Sequence, residues 1–323
     1  MSWALTTDQL TKDYRVGFWR PRPYRALDSL TLQVGAGEVF GFLGPNGAGK
    51  TTTLKLLMQL VFPTSGRAEI LGRPVGDLTV KRRLGYLPEN PYFYDYLTAE
   101  ELLSYFAALL GYPPDERKKR AARLLDEVGI AGERRLPLRR FSKGMLQRVG
   151  IAQALLNEPE IVVFDEPMSG LDPLGRRDVR ALILRLRDRG CTVLFSSHVL
   201  SDAEALCSRV AILAGGRLIA SGDLTEMLAF RARGYELVVA GVDEAVIARA
   251  APDARCVRIG PSRYTLELPL DPPPDRLLGA LTAAGGHIVS LNPVRGTLED
   301  FFVERVRSAG VGEGRASVWE AQR

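Results

Sequence analysis

The chain is poor in the residues that staple small folds or bind metals in them. Its 323 residues include three cysteines, Cys191, Cys207 and Cys256, and two histidines. The cysteines are widely spaced and form no CxxC pair or zinc set. A disulfide framework is therefore excluded and a reducing cytosol is expected. Each cysteine reads as a small buried apolar residue. Long apolar runs are missing too. The cleanest, such as Ile161-Val162-Val163-Phe164, fall far short of the ~20 residues a bilayer span needs. The opening Met1-Ser2-Trp3-Ala4-Leu5-Thr6-Thr7-Asp8 has no basic start followed by an apolar stretch, so no signal peptide is expected. Neither sign of charge dominates: 43 basic residues stand against 38 acidic ones, a net of +5. Basic residues cluster at Arg117-Lys118-Lys119-Arg120, Arg134-Arg135 and Arg139-Arg140. Such clusters suit a solvated helix face or a surface near anionic lipid or phosphate. No nucleic-acid-binding signature accompanies them, and no nucleic acid partner is expected.

With 46% hydrophobic and 25% charged residues, the composition is that of a folded globular chain. The length predicts two domains. Residues 1–40 read as strands, with a turn at Gly35-Ala36-Gly37. A short apolar strand over residues 38–43 runs into a glycine-rich loop, and an amphipathic helix carrying Leu54, Leu57, Met58 and Val61 follows. Residues 98–110, 115–128 and 142–156 read as helices, the first opened by a Thr98/Glu101 capping box. Buried-type strands at 161–164 and 192–196 flank a helix over 174–188, which predicts a parallel sheet. Two short strands surround Gly215-Gly216. The texture shifts after Phe230-Arg231-Ala232-Arg233-Gly234. From residue 235 the order is strand, helix, strand, strand, helix, strand, the order of a ferredoxin-like unit, followed by a helix over 297–306. A boundary near residue 232 is expected, with residues 233–307 a small α+β domain and 308–323 a frayed tail.

Gly44-Pro45-Asn46-Gly47-Ala48-Gly49-Lys50-Thr51 fits the P-loop pattern, with a strand before it and a helix after. Its glycines let backbone N–H groups curl around phosphate oxygens, and the helix N-terminus adds the positive end of a dipole. Lys50 is placed to reach β- and γ-phosphates, and the Thr51 hydroxyl to sit on Mg²⁺. The strand at 161–164 ends in Asp165 and Glu166, at the edge where ligands bind in parallel sheets. Asp165 would hold Mg²⁺ or its water, and Glu166 could polarise an attacking water.

With these motifs in place, the chain resembles the ATP-binding subunit of an ABC transporter over about residues 4–230. Phe141-Ser142-Lys143-Gly144-Met145-Leu146-Gln147-Arg148 resembles the family signature Leu-Ser-Gly-Gly-Gln, with Ser142 and Gly144 kept. Lys143 replaces the first glycine and Met145 the glutamine. Ser169-Gly170-Leu171-Asp172 matches the D-loop, and His198 in Ser197-His198 the switch histidine. Gly85-Tyr86-Leu87-Pro88-Glu89 occupies the Q-loop, with Glu89 where glutamine is usual. Tyr14 resembles the aromatic that stacks on adenine, with Phe18 and Trp19 as alternatives. His287 reads as structural.

The resemblance implies an α/β P-loop ATPase with an antiparallel β portion and a helical subdomain over about 90–157. ATP and Mg²⁺ are its implied cofactors. Gly44, Asn46, Gly47, Ala48, Gly49, Lys50, Thr51, Thr52 and Tyr14 would bind nucleotide, Thr51, Glu89 and Asp165 the metal, and Glu166 and His198 would be catalytic. Ser142 starts a helix whose N-terminal amides form a second anion site. In the family that site closes on the nucleotide of another subunit. A second copy or a homologous ATPase subunit, and a separate polytopic membrane permease, are therefore the expected partners, with the chain on the inner face of the membrane. The Ser142–Met145 variant and the small C-terminal unit resemble the exporter branch. The aromatic-rich segment 87–96 is the expected permease contact. The C-terminal unit, which carries no chemical motif, reads either as a dimer-stabilising or regulatory contact or as an inert appendage.

Overall fold

The computed structural model describes residues 3–17, 22–229, 232–252, 254–295 and 298–308. Phe18, Trp19, Phe230, Arg231 and the expected tail beyond Ser308 lie outside the described residues. The chain divides into two compact units, one built on residues up to Leu224 and the other on Thr225–Glu304.

The first unit is organised around a six-stranded sheet. Its order is Arg217–Asp223, Arg209–Ala214, Val39–Leu43, Thr192–Ser197, Ile161–Phe164, Leu84–Leu87. All neighbours are parallel except the first pair, which is an antiparallel hairpin turning at Gly215 and Gly216. Val39–Leu43, Ile161–Phe164 and Thr192–Ser197 are buried at every position. That explains their continuous apolar runs, since a strand covered on both faces has no polar side to alternate with. The order sets Thr192–Ser197 between the strand that feeds the glycine loop and the strand that ends at Asp165. Three chemically loaded segments therefore leave adjacent parallel strands at the same edge.

A second, antiparallel sheet has the order Arg22–Gly35, Trp3–Val16, Ser65–Ile70, Arg73–Pro74. Leu5, Leu10, Leu27, Leu30 and Ile70 of this sheet share one core with Phe40, Phe42, Val163 and Leu194 of the first. Leu54 and Leu57 of the helix Lys50–Leu57 fill the same core. At about 25 cal/mol per Å² of apolar surface, burying each such side chain contributes roughly 1.5–3 kcal/mol. The glycine loop is thus backed by a rigid interior.

The helical portion consists of Ala99–Leu109, Pro114–Glu127 and Lys143–Ala154. The first has the expected capping box: Thr98 Oγ1 accepts from the Glu101 amide, and the Glu101 carboxylate accepts from the Thr98 amide. The second starts with Pro114, whose missing N–H costs nothing there. The third is capped by Ser142 and ends at Ala154, two residues short of the expected 156.

The second unit is an antiparallel sheet of order Arg255–Gly260, Arg263–Pro269, Ala232–Ala240, His287–Arg295. The helices Glu244–Ala250 and Asp275–Ala283 connect its strands. Leu237, Val239, Ile247, Tyr264, Leu266 and Leu281 form its own core. The chain order is strand, helix, strand, strand, helix, strand, and alternate side chains of the central strands face that core.

Candidate functional site

The glycine loop connects Leu43 to the helix Lys50–Leu57. Gly44 has φ 149°, and a Cβ there would lie 2.2 Å from the Leu213 carbonyl oxygen, so no side chain fits. Gly49 caps the helix in the left-handed region at φ 103°. The turn leaves the helix's first amides without intrahelical partners, and they face the cleft as anion-binding groups.

Lys50 is 5% exposed and folds back into the loop. Its Nζ donates to the Gly44 carbonyl at 2.7 Å and to the Pro45 carbonyl at 3.3 Å. It also lies 3.3 Å from Glu166 Oε1. The other Glu166 oxygen is 2.8 Å from His198 Nδ1. Glu166 itself sits at φ 51°, a backbone state that costs a non-glycine residue of order 1–3 kcal/mol and clusters at working sites. Its amide is held by Ser196 Oγ at 2.8 Å, and the same hydroxyl donates to Asp165 Oδ1 at 2.6 Å. Thr51 Oγ1 donates to Asp165 Oδ1 at 3.1 Å. The ends of three strands and the first turn of one helix are thereby tied into one network.

The charges follow from this packing. Burial pushes the Glu166 carboxyl upward, but the His198 hydrogen bond and the Lys50 charge outweigh it, and the net shift is downward. The His198 imidazole is raised, chiefly by its hydrogen bond to Glu166 and against its own partial burial. Asp165 is raised: burial outweighs its hydrogen bonds from Ser196 and Thr51, and the Glu89 and Glu166 charges add to the rise. Tyr86 is also pushed up, by burial first and then by Asp165 and Glu89, and its buried hydroxyl has no hydrogen-bond partner.

A cleft of about 340 Å³ opens above the loop. Tyr14, Asn46, Gly47, Ala48, Gly49, Lys50, Thr51, Thr52, Glu89 and Glu166 all line it. Asp165 and His198 join through Thr51 and Glu166. Ser142 and Gly144 are not brought there. Ser142 is exposed at the start of its own helix, where its Oγ accepts from the Met145 amide at 3.2 Å. Three residues absent from the sequence-based site belong to it. Tyr24 lines the cleft. Ser196 bridges the two carboxylate residues. Buried Gln147 donates to the Pro167 carbonyl at 3.3 Å and, at 3.5 Å, to that of Glu166. The Ser196-Ser197 pair at the end of an apolar strand, just before His198, was the one available signal.

The donor set around Asp165 is hard oxygen throughout: a threonine hydroxyl and carboxylates. Among the described residues, no group of three His, Cys, Asp or Glu could hold a metal alone. That set fits Mg²⁺, which takes one or two protein oxygens and completes its shell with phosphate and water.

Within the expected contact segment 87–96, Leu87 is buried in the core and Pro91 and Phe93 are half-buried, whereas the tyrosines are exposed. Tyr92, Tyr94 and Tyr96 are 98%, 50% and 65% exposed, and Tyr94 stacks edge-on against Tyr105 at 6.3 Å.

A phosphate-binding loop, a carboxylate pair on the next strand but one and a histidine on the strand between them define a nucleotide triphosphatase. The family model described as ABC transporter matches residues 27–169. An uncharacterized ABC transporter ATP-binding protein of Synechocystis sp. is 44% identical over 311 residues, covering 95% of this chain and 86% of its own. The bacitracin transport ATP-binding protein of Bacillus licheniformis is 40% identical over 222 residues, 68% of this chain and 69% of its own. A dimeric ATP-binding cassette solved in a post-hydrolysis state with ADP and Pi superposes with TM-score 0.63 at 27% identity. That match covers 68% of this chain and 98% of the cassette. The chain belongs to the ABC transporter ATP-binding family: it is an ATPase subunit of a transporter, and such subunits dimerise and work with membrane permeases. Among the described residues no helix is long and apolar enough to cross a membrane.

Proposed function

We propose that the chain binds Mg-ATP in the 340 Å³ cleft, closes on a second ATPase subunit around two nucleotides, and powers an exporter from the inner face of the membrane. The observation that carries this reading is the Lys50–Glu166–His198 network. Lys50 is a buried cation beside a glycine loop, held by two loop carbonyls and Glu166 and placed to exchange these partners for β,γ-phosphate oxygens. Glu166 keeps its charge against burial, so it can accept a proton from a water set against the γ-phosphate. His198 holds the Glu166 carboxylate in place through a 2.8 Å hydrogen bond, beside the position where phosphate charge develops. Tyr14 receives the base. Thr51, Asp165 and Glu89 would hold Mg²⁺, which neutralises phosphate charge when bound.

Ser142 and Gly144 lie away from their own chain's cleft, which suits a signature helix that completes the partner subunit's site. The exposed tyrosines at 92–96 are the proposed permease contact. Residues 1–232 are taken as the ATPase and 233–307 as the accessory domain. Export is favoured because the bacitracin transport and linearmycin resistance ATP-binding proteins are among the relatives.

The test is to tag the full chain, solubilise membranes in detergent and measure what is retained. A polytopic membrane protein and Mg²⁺-dependent ATP hydrolysis are expected together. In a strain lacking the chain, the cargo should be retained inside the cell. Recovery without a membrane protein would refute the transport reading, and failed uptake would refute export.

A further inference from the structure

The base end of the cleft holds a second aromatic ring. Tyr14 and Tyr24 are direct cross-strand partners in the antiparallel pair Trp3–Val16 and Arg22–Gly35. Their side chains leave the same face of that sheet, with Cβ atoms about 4.5–5.5 Å apart, the spacing of any such pair. Both line the cleft together with Ala26, Asn46 and Gly47. Tyr24 is 42% exposed, a large ring left open to solvent beside the phosphate loop. Tyr14 is already engaged on one side: the Lys12 ammonium lies 5.1 Å from its ring centroid and is anchored on the Phe62 carbonyl at 2.6 Å. A ring with a cation over one face has a single face left for a base.

The cleft lining also separates two kinds of recognition. Its charged groups, Lys50, Glu89 and Glu166, belong to the phosphate and metal end. Besides Tyr14, Tyr24 and those three charged groups, the lining holds only the apolar Ala26 and Pro45, Asn46, and the glycines, alanine and threonines of the loop and its helix. Among the described residues of the lining, no acid or base stands at that end to read the edge of a nucleobase.

We infer that Tyr24 is the second half of a two-tyrosine platform that grips the nucleobase by stacking. It is a specificity-determining residue that selects for ring size, not for the hydrogen-bonding edge. The inference rests on the Mg-ATP reading above and deepens it. Two rings can cover a purine more fully than a pyrimidine, and stacking does not distinguish adenine from guanine because every base has a π-face. The site therefore takes purine nucleoside triphosphates as a class.

The test is equilibrium binding by the full-length protein of ATP, GTP, CTP and inorganic tripolyphosphate, comparing the unmodified chain with Tyr24→Ala, Tyr24→Phe and Tyr14→Ala. Loss of one stacking ring should weaken ATP and GTP alike, by about 5- to 100-fold. Tripolyphosphate binding should be unchanged, which also shows that the variant is folded. Tyr24→Phe should behave as the unmodified chain, because the ring and not the hydroxyl is used. In the unmodified chain ATP and GTP should bind within a few-fold of each other and CTP more weakly. Unchanged ATP affinity in Tyr24→Ala, an equal loss for tripolyphosphate, or a loss in Tyr24→Phe matching that in Tyr24→Ala would overturn the platform. So would strong preference for ATP over GTP. Failure of the unmodified chain to bind either ATP or tripolyphosphate would instead refute the nucleotide reading.

Discussion

Replacing Glu166 with glutamine separates binding from hydrolysis, and the structure sets the direction of both effects. The carboxylate lies 3.3 Å from Lys50 Nζ, with the two side chains 9% and 5% exposed. At an effective dielectric of about 20 the gross attraction is about 5 kcal/mol, much of it offset by the cost of keeping both charges out of water. Glu166 therefore competes with the nucleotide for the lysine. An amide keeps the shape, gives up that competition and cannot take a proton. Glu166→Gln should bind ATP as tightly as the unmodified chain or more tightly. Its turnover should fall by about 10²–10⁴, the usual worth of a general base. The assay pairs fluorescence titration with ATP hydrolysis, and size-exclusion chromatography with ATP should reveal a trapped dimer. His198 supplies an internal control. The hydrogen bond to Glu166 is the main cause of its raised pKa, so NMR should find the imidazole titrating lower in the variant. Full turnover, or weakened ATP binding with an unshifted histidine, would refute the reasoning.

Two further outcomes follow from the same network. The raised His198 favours the folded state below about pH 6.5 and loses that contribution as pH rises through its folded pKa, while the lowered Glu166 contributes above about pH 4.5. Thermal melting of the unmodified chain minus His198→Ala should thus show its largest difference between about pH 5 and 6.5, and a flat difference would count against the pair. Asp165 is a buried carboxyl whose charged form is disfavoured by burial, so Asp165→Asn should raise the melting temperature of the nucleotide-free protein while abolishing Mg²⁺-dependent hydrolysis; equal losses of both would mean that its hydrogen bonds, not its charge, matter most.

Local chemistry was legible in the amino-acid order. The glycine loop could be read because its contacts are made within a few residues: Lys50 bonds to Gly44 and Pro45 of its own loop. The Thr98 and Ser142 caps were legible for the same reason, since a cap reaches only to the third residue on. The parallel core could be read from runs such as residues 161–164 because strands buried on both faces carry no polar alternation. The short strands Ser65–Ile70 and Arg73–Pro74 could not: they are mostly polar or exposed, and their pairing with Trp3–Val16 is what makes them strands.

Tertiary structure alone decided which of these pieces meet. Glu166 and His198 are joined because the strands Ile161–Phe164 and Thr192–Ser197 are neighbours in register. Ser196 became the tie between Asp165 and Glu166 for the same reason, and no spacing rule would single out that serine. Tyr24 enters the cleft only because cross-strand pairing sets it opposite Tyr14. Burial likewise decided that Tyr92 and Tyr96 face solvent, since an aromatic ring reads the same in sequence whether it packs inside or waits for a partner. Periodicity and motif spacing determine what a segment can do by itself. Which segments act together is set by long-range pairing, whose energy comes from surfaces that exist only once the chain has folded.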